Sequence, residues 1–190
     1  MKFVRSTAAL AVFLCLTATT VTAGPLVNVS IYGGLKYSDD DRFIPDAAGD
    51  EQDEYGGLLI FGKDGWDTQL LANVLISESK DSVLDEDGDR VLNEYTELGA
   101  GFAKVWTLSS RIDPYVGGGL GLFWFDGAGG SDNAVGGWLE RGFFYRAAKG
   151  AGFNVGVTLR LSHASAIEVA GDVQSGGVHG LLTVGWGKRP

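Results

Sequence analysis

The 190-residue chain carries 24 acidic and 15 basic side chains, a net charge of −9, together with thirty glycines. That acidic balance disfavours a nucleic-acid partner, because phosphate binding requires a basic surface. The glycines are scattered through apolar, alternating stretches, a distribution that suits tightly curved β-sheet and not a flexible linker.

Residues 1–23 read as a secretory signal peptide. Lys2 and Arg5 precede the apolar run from Ala8 to Leu16, which is too short to span a bilayer, and small residues lead to a cleavage point before Gly24. The single cysteine, Cys15, lies inside that segment without the preceding small residue that a lipid anchor requires, so the mature chain has no disulfide to rely on. Without Lys2 and Arg5 the basic count falls to 13 against 24 acids, a charge of −11 on residues 24–190, which are long enough for one domain.

Alternating hydrophobicity then predicts eight strands, at 27–37, 55–63, 66–79, 92–106, 114–125, 137–149, 152–167 and 173–187. The first sets Val27, Val29, Ile31 and Leu35 against Asn28, Ser30, Gly34 and Lys36. The seventh sets Phe153, Val155, Val157, Leu159 and Leu161 against Asn154, Gly156, Thr158, Arg160 and Ser162. The last repeats the pattern, with Val178, Leu182, Val184 and Trp186 opposite His179, Leu181 and Thr183. Long links ("SDDDRFIPDAAGDEQDE", "DSVLDEDGDR", "DGAGGSDNAVG" and the stretch around "EVAGD") alternate with short ones ("KDG", "TLSSRIDP", "KGAG"). That rhythm predicts an all-β, eight-stranded antiparallel up-and-down barrel whose two rims face different compartments.

A soluble ligand-carrying barrel turns its apolar face inward, whereas a transmembrane barrel turns it outward. Three features favour the transmembrane arrangement. The strands are long enough to cross a bilayer at a tilt. Aromatics cluster near strand ends, at Tyr37, Tyr55, Trp66, Trp106, Tyr115, Trp124, Trp138 and Trp186, as an interfacial girdle requires. Charges fall on the polar parity at Lys36, Asp67, Glu97, Glu140, Arg146 and Arg160, so that Lys36, Glu97, Glu140, Arg146 and Arg160 are expected to form an internal cluster. Arg141 breaks the pattern by sharing parity with Leu139, Phe143 and Tyr145, through a bulge or a shift of register.

On the segments "IDPYVGGGLGLFWF", "GFNVGVTLRLSHA" and "GGVHGLLTVGWG" the chain resembles the small eight-stranded outer-membrane barrels of Gram-negative bacteria, the outer-membrane-protein-A-like group. The likeness spans nearly all of residues 24–190 and departs at the end, where "GKRP" follows Trp186 in place of a terminal aromatic residue. It implies an outer-membrane location, a monomer, and outer-membrane lipids and lipopolysaccharide as surroundings.

Two stretches carry candidate chemistry. In "LRLSHASAIE", His163 and Ser165 are two apart on a strand and so share a face, the spacing of a base beside a nucleophile. The pair resembles the lipid A 3-O-deacylase family of outer-membrane barrels, whose His-x-Ser works with a glutamate on the last strand. That resemblance implies an ester hydrolase with Ser165 as nucleophile and His163 as base. Asparagine follows the serine in that family and Ala166 follows it here, while the glutamate position falls at His179; Glu168 is the other candidate third member. In "DEDGDRVLNE", Asp85, Asp87 and Asp89 around Gly88 resemble the start of a calcium loop, although Thr96 stands where the bidentate glutamate of an EF-hand belongs. Otherwise the sequence calls for no cofactor.

The expected product is therefore an outer-membrane barrel that conducts poorly or not at all, with a structural or adhesive role, in which acidic loops meet an extracellular partner. The alternatives are a lipid A deacylase using His163 and Ser165, and a secreted soluble ligand-binding barrel.

Overall fold

The computed structural model describes residues 26–37, 51–62, 66–80, 83–84, 88, 90–92, 94–127, 130–147, 152–167 and 173–187. The expected signal peptide lies outside them. The strands are β1 (Leu26–Tyr37), β2 (Glu51–Phe61), β3 (Gln69–Ser79), β4 (Val83–Leu84), β5 (Arg90–Val91), β6 (Glu94–Val105), β7 (Ile112–Gly127), β8 (Gly130–Arg146), β9 (Phe153–Ile167) and β10 (Val173–Trp186). Eight of them close into a barrel in the order β1-β10-β9-β8-β7-β6-β3-β2, and β4 pairs with β5 as a small separate hairpin in the link between β3 and β6. Every pairing is antiparallel and joins chain neighbours, with β1 on β10 as the closing seam. The fold is a closed eight-stranded antiparallel up-and-down β-barrel.

Two connections differ from the sequence reading. The stretch "DGAGGSDNAVG" is mostly strand: β7 and β8 stay paired out to Gly127 opposite Gly130, making a long two-stranded extension. β2 likewise starts at Glu51, inside the expected acidic link. In both places polar or glycine-rich residues concealed strand, because ladder hydrogen bonds need no apolar side chain.

The register sets the barrel's shape. From Lys104 on β6 the row of cross-strand partners runs through Val116, Arg141, Leu159, Gly180, Leu35, Asp53 and Glu78, and re-enters β6 at Glu94. The ten residues from Glu94 to Lys104 are the stagger of the barrel, and such a stagger requires strands tilted by roughly 35–45°. No register shift interrupts β8, so Arg141 does turn outward with Leu139 and Phe143; neither a bulge nor a slip is involved.

Which face is apolar decides the barrel's solvent. Leu120 is 71% exposed and Leu182 67%, and Phe102, Leu139, Leu161 and Val184 also project from the outer surface. Asn73, Glu97, Glu140, Asn154, Thr158 and Arg160 are buried inside. A soluble carrier needs the reverse, so that alternative is corrected by the observed faces. Leu59, Val74 and Ile76 share the outward parity and are nonetheless buried; Leu59 and Val74 pack with Val29, Phe61 and Ala72. Tyr37, Trp66, Trp106, Trp124 and Trp186 are exposed near strand ends, and Tyr55 is exposed midway along β2, but Tyr115 and Trp138 are buried among inward-facing residues. Asp67 lies before β3 and is exposed, so it is no part of the interior.

Candidate functional site

The barrel's inner residues form polar levels between apolar ones. Near the rim that carries the short turns, Arg146 Nε donates to Asp113 Oδ2 at 2.6 Å and its Nη1 to the Gly187 carbonyl at 2.8 Å. Beside them Asn154 Nδ2 donates to Asn28 Oδ1 at 2.8 Å, and Asn28 in turn donates to Ser30 at 2.6 Å. Above these lies an apolar level containing Tyr32, Leu58, Leu71, Tyr115, Phe144 and Leu181, in which the Tyr115 and Phe144 rings stack at 4.8 Å.

Arg160 is the hub of the next level and is 0% exposed. Its Nη1 donates to Glu140 Oε2 at 2.9 Å, while Nη2 donates to Glu97 Oε1 and faces Asn73 Oδ1 at 3.4 Å. The guanidinium lies 4.4 Å from the Trp138 ring centre, and the indole N–H donates to the Leu120 carbonyl at 3.1 Å. Glycine makes the room: a Cβ on inward-facing Gly99 would collide with the Asn73 and Trp138 side chains. A buried guanidinium is tolerated here because carboxylates from two neighbouring sectors of the wall balance it.

Toward the other rim, His179 stands between two partners. Its Nδ1 is 2.8 Å from Glu54 Oε1, and its Nε2 is 2.7 Å from Ser162 Oγ. The carboxylate accepts from Nδ1–H, which leaves Nε2 to accept from the Ser162 hydroxyl. Ser77 donates to Glu54 at 2.9 Å, and the Lys36 ammonium sits 4.3 Å from the centre of the Tyr95 ring. His179 and Glu54 are 1% and 3% exposed, whereas Ser162 is half-buried. Serine, imidazole and carboxylate thus stand in the order and spacing of a nucleophile, its base and the group that orients the base. Beyond β3, Lys80 reaches Glu51 at 2.7 Å and Asp53 at 3.7 Å; the hydrogen bond to Glu51 and both negative charges raise its pKa above the usual lysine value.

The candidates read from the sequence are distributed differently. His163 is exposed on the outer surface of β9, and His179 points inside from β10. The wall of the barrel separates the two imidazoles, so His179 is no third member for His163. The side chain of Ser165, together with Glu168, Asp85, Asp87 and Asp89, falls outside the described residues. Of the five expected internal charges, Arg160, Glu97 and Glu140 meet; Lys36 sits with Tyr95 toward the rim with the long links, and Arg146 pairs instead with Asp113 at the rim with the short turns. Ser162 and Glu54 were missed as partners of His179. Parity did place Ser162 and His179 on the inner face, but only the stagger of the barrel brings Glu54 of β2 level with them.

No protein-family profile and no curated protein matches the chain. Among solved structures it is similar to Neisserial surface protein A, at 12% identity and a TM-score of 0.56 over 84% of this chain and 93% of that one. It is similar also to Ail, the attachment invasion locus protein of Yersinia pestis, at 14% identity and a TM-score of 0.54 over 86% of this chain and 98% of that one. These likenesses show the fold. Both relatives belong among the small eight-stranded outer-membrane barrels, and the chain shares that architecture along nearly the whole described barrel.

Proposed function

We infer that the chain is an integral outer-membrane barrel whose interior is plugged, and that it works through the surface presented at its outer rim. The observation carrying this reading is the inverted pattern of the wall: apolar side chains project outward along β6–β10 while Arg160, Glu97 and Glu140 fill the lumen. An eight-stranded barrel is only wide enough for side chains, so such a lumen passes no solute stream. The short turns, the start of β1 and the end of β10 share one rim, which by the usual barrel layout faces the periplasm. The acidic links and the β7–β8 extension then face outward, where they meet a partner by adhesion, with the likeness to an attachment protein in support. Electrophoretic mobility with and without boiling, combined with membrane fractionation, tests this. A folded band that shifts on boiling and fractionates with outer membranes is expected; soluble material with no shift overturns it.

A second reading rests on Ser162, His179 and Glu54. In an ester hydrolase built on them, Ser162 Oγ passes its proton to His179 Nε2 and attacks the ester carbonyl. His179 then returns that proton to the departing alkoxide, and water attacks the acyl-serine by the same route in reverse. The class is that of the lipid A deacylases, with the internal Ser162 as nucleophile where the sequence had offered Ser165. A fluorophosphonate probe decides between the readings. Labelling that Ser162→Ala abolishes and Ser165→Ala leaves intact supports the enzyme. No labelling of the folded barrel leaves the triad as packing.

A further inference from the structure

Arg141 is the outlier of the outer wall. It projects from β8 between Leu139 and Phe143, with Val116 and Leu159 as its cross-strand neighbours, and all four of these side chains are exposed and apolar. Among the described residues it has no hydrogen-bond or ion-pair partner. The arginines inside the barrel are treated differently, since Arg146 and Arg160 each have a carboxylate. A guanidinium facing lipid without a counter-charge is costly, and its long stem lets the head move toward the headgroup level.

Two more cations gather on the same wall. Lys104 on β6 is exposed and is the partner of Val116 from the other side, so Lys104 and Arg141 flank one valine two strands apart. At the strand spacing of a sheet that is about 10 Å between backbones, which two long side chains can close around a single anion. Arg111, in the turn just below, donates from Nη1 to the Tyr145 hydroxyl at 3.2 Å, and Lys104 lies 5.9 Å from the Trp106 ring centre. Among the described residues of β6–β9 the outward carboxylates are Glu94 and Asp126, and these are cross-strand partners at the opposite end of the wall. The patch therefore combines an unpaired arginine, two further cations and interfacial aromatics in the part of the wall toward the short turns, and among the described residues it contains no acid.

We propose that Arg141 and Lys104, backed by Arg111, form an external site for the phosphodiester of an anionic glycerophospholipid in the inner leaflet. Arginine takes the phosphate oxygens through its forked donors and lysine adds a point charge, while Phe143, Leu159 and Val116 carry the acyl chain upward. Occupation supplies the counter-charge that the wall itself lacks. The site rests on the membrane reading given above.

Native mass spectrometry of the full chain released from bilayers containing phosphatidylglycerol and phosphatidylcholine in equal amounts tests it. The wild type is expected to retain one phosphatidylglycerol in preference to phosphatidylcholine. Lys104→Gln with Arg141→Gln is expected to lower that retention by about tenfold, and Arg141→Lys to keep most of it. Arg90→Gln, which removes a cation from β5 in the opposite loop, is expected to leave it unchanged. Equal retention in the double variant, or retention that follows Arg90 instead, overturns the site while leaving the barrel in the membrane. If the wild type does not enter bilayers at all, the membrane reading falls and the site falls with it. Single Lys104→Gln provides the same comparison should the double variant fail to fold.

Discussion

Arg160 on β9 and Glu140 on β8 are direct cross-strand partners whose charges meet inside the barrel at 2.9 Å, while their chain neighbours Leu159, Leu161 and Leu139 project from its outer surface. One pair of strands thus serves two environments, with the ion pair filling the lumen on one side and the leucines facing the surroundings on the other. Arg160→Ala leaves Glu97 and Glu140 buried without their cation. A loss of about 3–5 kcal/mol is expected, read as a lower urea midpoint by tryptophan fluorescence of the folded barrel. Replacing Arg160, Glu97 and Glu140 together by Met, Leu and Leu should recover most of that loss, because desolvation of the charges is then avoided as well. An unchanged midpoint in Arg160→Ala would mean that the pairs contribute nothing to holding the barrel.

The outer wall offers a test of solvent independent of location. Leu120 lies mid-strand on β7 at 71% exposure. In water, an arginine there would be harmless or helpful to solubility. On the lipid face of a barrel near the bilayer midplane it costs about 2–4 kcal/mol. Leu120→Arg should therefore lower the unfolding midpoint measured from bilayers, whereas Ser131→Arg, beyond the apolar band on β8, should not. Equal behaviour of the two would argue against a lipid-facing wall.

Most of this architecture was legible because the strand period is two and the wall is one residue thick. Asn154, Thr158 and Arg160 against Val155, Val157 and Leu159 already separated the two faces, while strand length and the placing of aromatics and charges pointed the polar face inward. Strand ends were harder: Glu51 and Ser131 sit in ladders where polar side chains carry no periodic signal. Aromatics misled in one respect, since Tyr115 and Trp138 look like girdle residues and instead fill the lumen beside glycine-rich β6 and β7. The Ser162–His179–Glu54 contact was beyond reach for a different reason. Glu54 and His179 are 125 residues apart in the chain, on strands separated by β1, and only the barrel's stagger brings them level. Asp113 was hidden likewise, reading as part of a turn although it is the buried partner of Arg146.

That Asp113–Arg146 pair fastens the rim with the short turns. Arg146 grips Asp113 on β7 with one donor and the Gly187 carbonyl just past β10 with another, so it ties β7 and β8 to the end of the closing strand. Asp113→Ala should cost about 3–5 kcal/mol by leaving Arg146 buried and unpaired. Hydrogen exchange should show the added opening in the last residues of β10 before it shows in the middle of β9. Uniform loss of protection across all strands would mean that the pair stabilises the barrel globally and does not fasten the seam.

Close backbone approach between β6 and β7 yields the most local prediction. Gly101 and Gly119 are cross-strand partners, and a Cβ on Gly101 would land on the Gly118 carbonyl oxygen and the Gly119 Cα. Gly180 on β10 is the opposite case, exposed and with nothing within 4 Å of the place its Cβ would take. Alanine at Gly101 must push the two strands apart, so a loss of about 1–3 kcal/mol is expected, as for other overpacked interiors. Alanine at Gly180 meets no obstacle and narrows the freedom of the unfolded chain, so a gain of about 0.4–1 kcal/mol is expected. Equilibrium unfolding of the two variants in one detergent checks both signs at once. A destabilised Gly180→Ala beside a neutral Gly101→Ala would show that the β6–β7 approach is looser than the pairing of Gly101 with Gly119 requires.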